Sequence, residues 1–119
     1  MTSEQVHLFQ AEGRAGIKME KELYDQITDV IINRIEEGEE ATLADVLDAT
    51  KQRVDQGNIE YLTLQVKVDL EYRGYLMTAS SRVTPSRRAL RMTDKGRRYF
   101  GVSDRRYSQD TLYYRSKKA

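Results

Sequence analysis

The chain of 119 residues contains no cysteine, no tryptophan, one proline (Pro85) and one histidine (His7). Without cysteine there is no disulfide, no thiolate nucleophile and no zinc–thiolate site. With a single imidazole, a metal site would need oxygen ligands alone or His7 with carboxylates. Serine and threonine are plentiful, but no acid–base partner set accompanies them. These absences predict a protein that is not an enzyme and that needs no cofactor.

Long apolar runs are also lacking, and none approaches the roughly 20 residues that a membrane-spanning helix needs. The residues after Met1, Thr2 to Gln5, are polar and do not resemble the apolar region of a secretory signal. We therefore expect a cytoplasmic location and no membrane partner. No small-molecule ligand is evident from the sequence.

Charge is unevenly distributed although the net charge is only +1. Residues 1–72 hold 7 basic and 16 acidic side chains, whereas residues 73–119 hold 13 basic and 3 acidic ones. The basic half could meet an anionic partner, the acidic half of a second copy, or the acidic half of its own chain. The sequence leaves these alternatives open.

The length predicts a single domain. The elements predicted along the chain give this domain a mainly α (α+β) character. Residues 1–19 form an N-terminal arm, with strands at Val6–Gln10 and Ile17–Met19 around a glycine-containing turn. Residues 20–101 form the domain itself. Residues 102–119 form a basic, tyrosine-rich tail without a clear period.

Three helices are predicted inside the domain from apolar residues at three- and four-residue steps. The first runs from about 21 to 37 and ends at Gly38. The second is capped by Thr42, with Asp45 completing a variant capping box, and runs to about 54. The third is capped by Asn58 and runs to about 73.

A two-stranded hairpin follows the third helix, with strands over residues 75–80 and 87–92 and Pro85 in the loop. Thr93 then caps a short last helix. Helix, helix, turn, helix and hairpin is the order of a winged helix, with the hairpin as its wing. A three-helix bundle with an ordered C-terminal hairpin is the competing interpretation.

Several short stretches together resemble a family of small, uncharacterised bacterial winged-helix-like proteins. They are "EGRAG" before "KMEKELYDQI", then "VKVDLEYRGYL" and "SRRALRM", and the resemblance covers roughly residues 6–92. Ala11 stands where the family pattern has proline. The resemblance implies a fold and no established activity, so no catalytic role is transferred. The matching positions are Gly13, Arg14, Gly16, Val66, Lys67, Asp69, Leu70, Glu71, Arg73, Gly74, Pro85, Arg88 and Leu90.

The basic wing is the candidate contact surface for DNA. If Leu90 and Met92 face the core, strand alternation directs Arg87 and Arg91 into solvent. Arginines at a wing tip suit phosphate or groove contacts. Charges that protect an exposed strand edge are the alternative explanation. The predicted nucleic-acid contacts are Arg82, Arg87, Arg88, Arg91, Arg97, Arg98 and, on the third helix, Lys67.

The third helix carries a second apolar stripe opposite its core stripe, formed by Tyr61, Leu64, Val68 and Tyr72. A helix that is apolar on both sides is usually covered on both sides. This stripe predicts a protein interface, with a homodimer, the arm or the tail as candidate covers.

Acidic residues crowd the end of the first helix, at Glu36, Glu37, Glu39 and Glu40. They oppose the helix dipole there, which suggests a basic neighbour, such as the C-terminal half of the same chain. They lack the spacing of a calcium loop.

Overall fold

Four helices and two antiparallel hairpins make up the part of the chain that this computed structural model describes, residues 4–10 and 14–101. The elements are β1 (Gln5–Phe9), β2 (Ala15–Glu20), α1 (Lys21–Gly38), α2 (Leu43–Arg53), α3 (Ile59–Tyr72), β3 (Leu76–Ser80), β4 (Arg88–Met92) and α4 (Asp94–Phe100). The predicted α+β content is confirmed. Part of the predicted turn, residues 11–13, and the tail, residues 102–119, lie outside the described residues. No described helix is long and apolar enough to cross a bilayer.

The core lies where α1, α2 and α3 meet and is closed by one side chain from β1 and several from the second hairpin. Apolar spacing predicts Leu23, Ile27, Val30, Ile31 and Ile35 as the inward residues of α1; the last four are buried, and Leu23 is half-buried against the core. Burial of each such aliphatic side chain contributes roughly 1.5–3 kcal/mol to the stability of the folded chain. The largest fully buried apolar side chains are Leu8, Ile27, Ile31, Ile35, Val46, Val66, Leu70 and Leu90. Met92 is buried as predicted.

Two of the predicted helix caps are present. The Thr42 hydroxyl accepts from the Asp45 N–H at 3.1 Å, and the Asp45 carboxylate accepts from the Thr42 N–H at 3.2 Å. Thr93 accepts from the Gly96 N–H at 2.9 Å. These side chains satisfy amide groups that have no partner within the first turn of a helix.

At two other helix ends the predicted position is confirmed but the capping differs. Asn58 precedes α3 in a left-handed conformation (φ 59°) and makes no side-chain cap; asparagine tolerates this region better than most residues. Gly38 stays helical, and Glu39 adopts the left-handed turn instead (φ 67°). The chain is held just beyond Glu39, because Ala41 exchanges two backbone hydrogen bonds with Leu90, at 3.1 and 2.7 Å.

Ala41 therefore pairs with the second hairpin through an isolated β-bridge, in the position of a third strand. Its own register pairs Leu76 with Met92, Thr78 with Leu90 and Ser80 with Arg88. The bridge from Ala41 to Leu90 joins the α1–α2 connection to the outer edge of β4. This bridge brings the acidic end of α1 to the basic hairpin.

Close backbone approach fixes α4 against the start of β3. The Tyr75 carbonyl accepts from the Thr93 N–H at 3.0 Å. A Cβ on Gly96 would lie 2.1 Å from the same carbonyl oxygen, so only glycine fits there. Gly74 makes the preceding turn with φ 85°. As a result, the aromatic rings of α4 lie beside the ring of Tyr75.

Candidate binding surfaces

The carboxylate of Asp69 is fully buried in α3 and connects three elements. Its Oδ1 accepts from the Phe9 backbone N–H in β1 at 2.9 Å. Its Oδ2 accepts from the Tyr24 hydroxyl in α1 at 2.6 Å and from the Arg73 Nε at 2.8 Å. A buried charge is tolerated only when it is paired and hydrogen-bonded in this way.

The side chains that donate to Asp69 are also constrained by their own surroundings. Burial, followed by the hydrogen bond to Asp69, raises the pKa of Tyr24 above its ordinary value, so its hydroxyl is a permanent donor at physiological pH. The Arg73 guanidinium lies 5.1 Å from the centre of the Phe9 ring. That ring packs against Tyr72 with 4.9 Å between centroids. The arm is thus joined to the C-terminal end of α3 through both backbone and rings.

The predicted second stripe of α3 is present as an outward surface, which we call the outer face: Tyr61, Leu64, Val68 and Tyr72. Tyr61 and Tyr72 are each 50% exposed. Leu64 and Val68 are half-buried, and neither packs against the hydrophobic core. The predicted core stripe of α3 is Ile59, Leu62, Val66 and Leu70. By contrast with the outer face, it is buried at three positions, and Leu62 is half-buried against the core.

Charges beside the outer face are paired within the protein. Lys67 lies 2.6 Å from Glu71, and the Glu71 carboxylate also accepts from the Thr78 hydroxyl at 2.9 Å. Glu60 pairs with Lys51 of α2 at 2.5 Å. Lys67, a predicted nucleic-acid contact, is therefore already engaged by a carboxylate.

The acidic end of α1 meets the basic hairpin, as its dipole-opposing charges suggested. The Glu40 carboxylate accepts from the Ser81 hydroxyl and from the Arg82 N–H, the latter at 2.9 Å, and lies 3.5 Å from the Arg91 Nε. Arg82 also approaches Glu39 at 3.9 Å. Burial alone would raise the pKa of Glu40, but these hydrogen bonds and the charge of Arg91 outweigh it and lower that pKa below its ordinary value.

Arg91 does not project into solvent, and that expectation is wrong. Its side chain is only 19% exposed; besides the pairing with Glu40, it donates to the Ser80 carbonyl. The carboxylate of Glu40 is 12% exposed, and its attraction for the Arg91 guanidinium holds that side chain against the hairpin. Strand alternation could not reveal this, because the partner comes from another part of the chain.

The other predicted DNA contacts fall into two groups. Arg97 pairs with Asp94 and donates to the Met92 carbonyl at 3.1 Å. Arg87, Arg88 and Arg98 are exposed, and no carboxylate pairs with them among the described residues. Arg88 donates to the Thr78 carbonyl at 3.2 Å. Within residues 4–10 and 14–101, no cluster of three or more acidic or histidine side chains is placed to hold a metal ion.

A model for a protein family, described as a family of unknown function (DUF6958), matches residues 5–87. The chain belongs to this family. The predicted resemblance to an uncharacterised family is confirmed to that extent. No curated protein and no solved structure matches the chain.

The DUF6958 match extends from β1 to the loop before β4 and contains Asp69, its three donors and the whole outer face. Arg88, Arg91, Arg97 and Arg98 lie beyond it. Asp69 received no role from the sequence, although it borders the core stripe of α3 and stands four residues before Arg73. That placement is a usable signal for a buried ion pair along a helix.

Replacing Asp69 by asparagine should destabilise this DUF6958 protein by about 3 kcal/mol, because the Arg73 and Tyr24 partners lose their buried anion. Asp25→Asn is the matched control, since Asp25 is exposed and its ion pair in the described part of the chain is with exposed Lys21. Chemical denaturation monitored by circular dichroism measures both variants. Equal losses for the two would contradict a special role for Asp69.

Glu40 should make stability depend on pH in the acidic range. Its pKa is lower in the folded than in the unfolded chain, where the ordinary value is 4.5. Its contribution is therefore complete above that value and is lost as the pH falls through the folded pKa. The stability difference between wild type and Glu40→Gln should be large near neutral pH and shrink as the pH falls below 4.5.

Glu36→Gln serves as the control for this measurement, since Glu36 lies in the same acidic segment but has no ion pair among the described residues. Urea unfolding at a series of pH values gives the comparison. If the difference in unfolding free energy between wild type and Glu40→Gln stays constant with pH, the lowered pKa of Glu40 in the folded chain is refuted.

Proposed function

We propose that this protein is a non-enzymatic binding module of winged-helix type that self-associates through the outer face of α3. The order of three helices and a hairpin supports the winged-helix assignment. So does the bridge between Ala41 and Leu90, which joins the α1–α2 connection to the hairpin sheet. Fold alone does not imply function, so the surface has to carry the proposal.

The observation that carries it is the position of Leu64 and Val68, which belong to α3 but lie outside the core. Half-exposed Tyr61 and Tyr72 extend the same surface at its two ends. Large aromatic side chains around aliphatic ones are the composition of interface centres. Nearby Lys67, Glu71 and Glu60 are paired internally, so the surface offers little free charge to a phosphate backbone.

A second copy of the chain is the occupant that fits this surface. Read from either end, the outer face runs aromatic, aliphatic, aliphatic, aromatic. Two antiparallel α3 helices would place Tyr61 of one copy near Tyr72 of the other. The same pair would recur at the other end of the contact, about 16 Å away along the helix axis. A two-fold interface requires this kind of self-complementarity.

Val68→Glu should convert a dimer into a monomer, because a carboxylate would be buried without a partner at the centre of the interface. Gln52→Glu adds the same charge on the exposed surface of α2 and should leave the dimer intact. Sedimentation equilibrium measures both variants. A wild-type protein that is monomeric at high micromolar concentration would exclude self-association.

DNA binding through the hairpin is the second candidate, and the exposure of Arg87, Arg88 and Arg98 favours it. Arg82, Arg91, Arg97 and Lys67 contribute less, since each has an internal carboxylate partner. A dimer through α3 would leave both hairpins accessible, so the two functions are compatible. Among the described arginines of the hairpin and α4, the three without a carboxylate partner imply a modest number of phosphate contacts.

If DNA is a ligand, the double variant Arg87→Glu, Arg88→Glu should abolish duplex binding, and wild-type affinity should fall steeply with salt. Both side chains are exposed, so folding should be unaffected. Fluorescence anisotropy with a mixed-sequence duplex measures binding. Absence of binding at about 50 mM salt would remove DNA as a candidate without affecting the dimer proposal.

A further inference from the structure

A cavity of about 440 Å³ opens between α1, the C-terminal end of α3 and α4, on the side of α3 away from the outer face. Its volume lies within the range of small-molecule sites. Aromatic side chains from α1, α4 and the turn before β3 line it: Tyr24, Tyr75, Tyr99 and Phe100. Tyr75 and Tyr99 stack at 4.3 Å, and Phe100 meets both edge-on at 5.6 and 5.0 Å.

The charges around this cavity leave one carboxylate uncompensated. Lys21 pairs with Asp25 at 2.7 Å, and Arg73 pairs with Asp69 at 2.8 Å. Asp29 also lines the cavity, and no hydrogen bond or ion pair joins its carboxylate to any residue in the described ranges. An anion entering the cavity would face Asp29, whereas a cation would be complemented by it.

Thr28 is a further polar residue in the wall of this cavity. It lines the same cavity, is 6% exposed, and its Oγ1 has no hydrogen-bond partner within the described part of the chain. Buried hydroxyl groups nearly always have a partner, and leaving one without costs free energy. The Oγ1 atom itself is buried beneath the cavity surface, so a ligand would contact the Thr28 side chain without bonding to this oxygen.

The geometry points to this cavity as a binding site for a small organic cation, a protonated amine that carries a flat apolar group. The ammonium would pair with Asp29 and the apolar group would lie against the rings of Tyr99 and Phe100. Electron-rich aromatic faces attract such cations, and a carboxylate beside them selects positive over negative charge. The site is separate from the outer face and does not depend on self-association.

Phenethylamine is the test probe, with 2-phenylethanol and phenylacetate as neutral and anionic analogues of similar shape. Titration of the full chain, followed by ¹⁵N-edited NMR, should show saturable shifts for phenethylamine at Thr28, Asp29 and Tyr99. The neutral analogue should bind several-fold more weakly and the anion not measurably.

Asp29→Asn should weaken phenethylamine binding by about tenfold, since the ion pair is lost. The control is Asp48→Asn, an exposed acid on α2 outside the cavity, which should bind like wild type. Tyr99→Leu keeps an apolar side chain but removes an exposed ring and should also weaken binding. Thermal unfolding of each variant establishes that the fold is intact.

Three results would overturn the proposal. They are equal binding of phenylacetate and phenethylamine, an Asp29→Asn variant that binds phenethylamine like wild type, and no saturable binding of phenethylamine up to roughly 10 mM. None of them would bear on the oligomeric state, so failure here is distinct from failure of the dimer.

Discussion

The position of α3 depends on one buried carboxylate. Asp69 accepts hydrogen bonds from the β1 backbone, from a tyrosine of α1 and from an arginine at the end of its own helix. Apolar packing alone would let α3 rotate or slide between near-equivalent arrangements, because hydrophobic contacts are not directional. A buried charge permits only the arrangement in which all its partners are present.

The donors of Asp69 also connect the two sides of α3. Phe9 gives its N–H to Asp69 and its ring to Tyr72, at one end of the outer face. Tyr24 and Arg73 bind Asp69 from the other side and line the aromatic cavity. A change in the hydrogen bonding of Asp69 would therefore affect both surfaces, even though neither surface contains the carboxylate itself.

Local signals in the sequence predict much of this structure. Apolar spacing identifies the helices and their core stripes, and Thr42 with Asp45 marks the start of α2. The outer face of α3 follows from the same spacing. Features that join distant positions escape such patterns: Asp69 meets Phe9 across 60 residues, and Glu40 meets Ser81 across 41. The acids that oppose the dipole of α1 indicate that a basic partner is needed, but not which one.

The concentration of arginines in the C-terminal half is weaker support for a nucleic-acid partner than it first suggests. Within the fold, Arg82 forms an ion pair with Glu39, and Arg91 forms one with Glu40. Arg97 pairs in the same way with Asp94, and Arg73 with Asp69. A charge that is paired within the fold must lose that partner before it can contact a phosphate, so it adds little net affinity. In the outer face, Tyr72 packs against the ring of Phe9, whereas Leu64 and Val68 do not pack against the hydrophobic core. These aliphatic side chains gain more from contact with a protein surface than from contact with water.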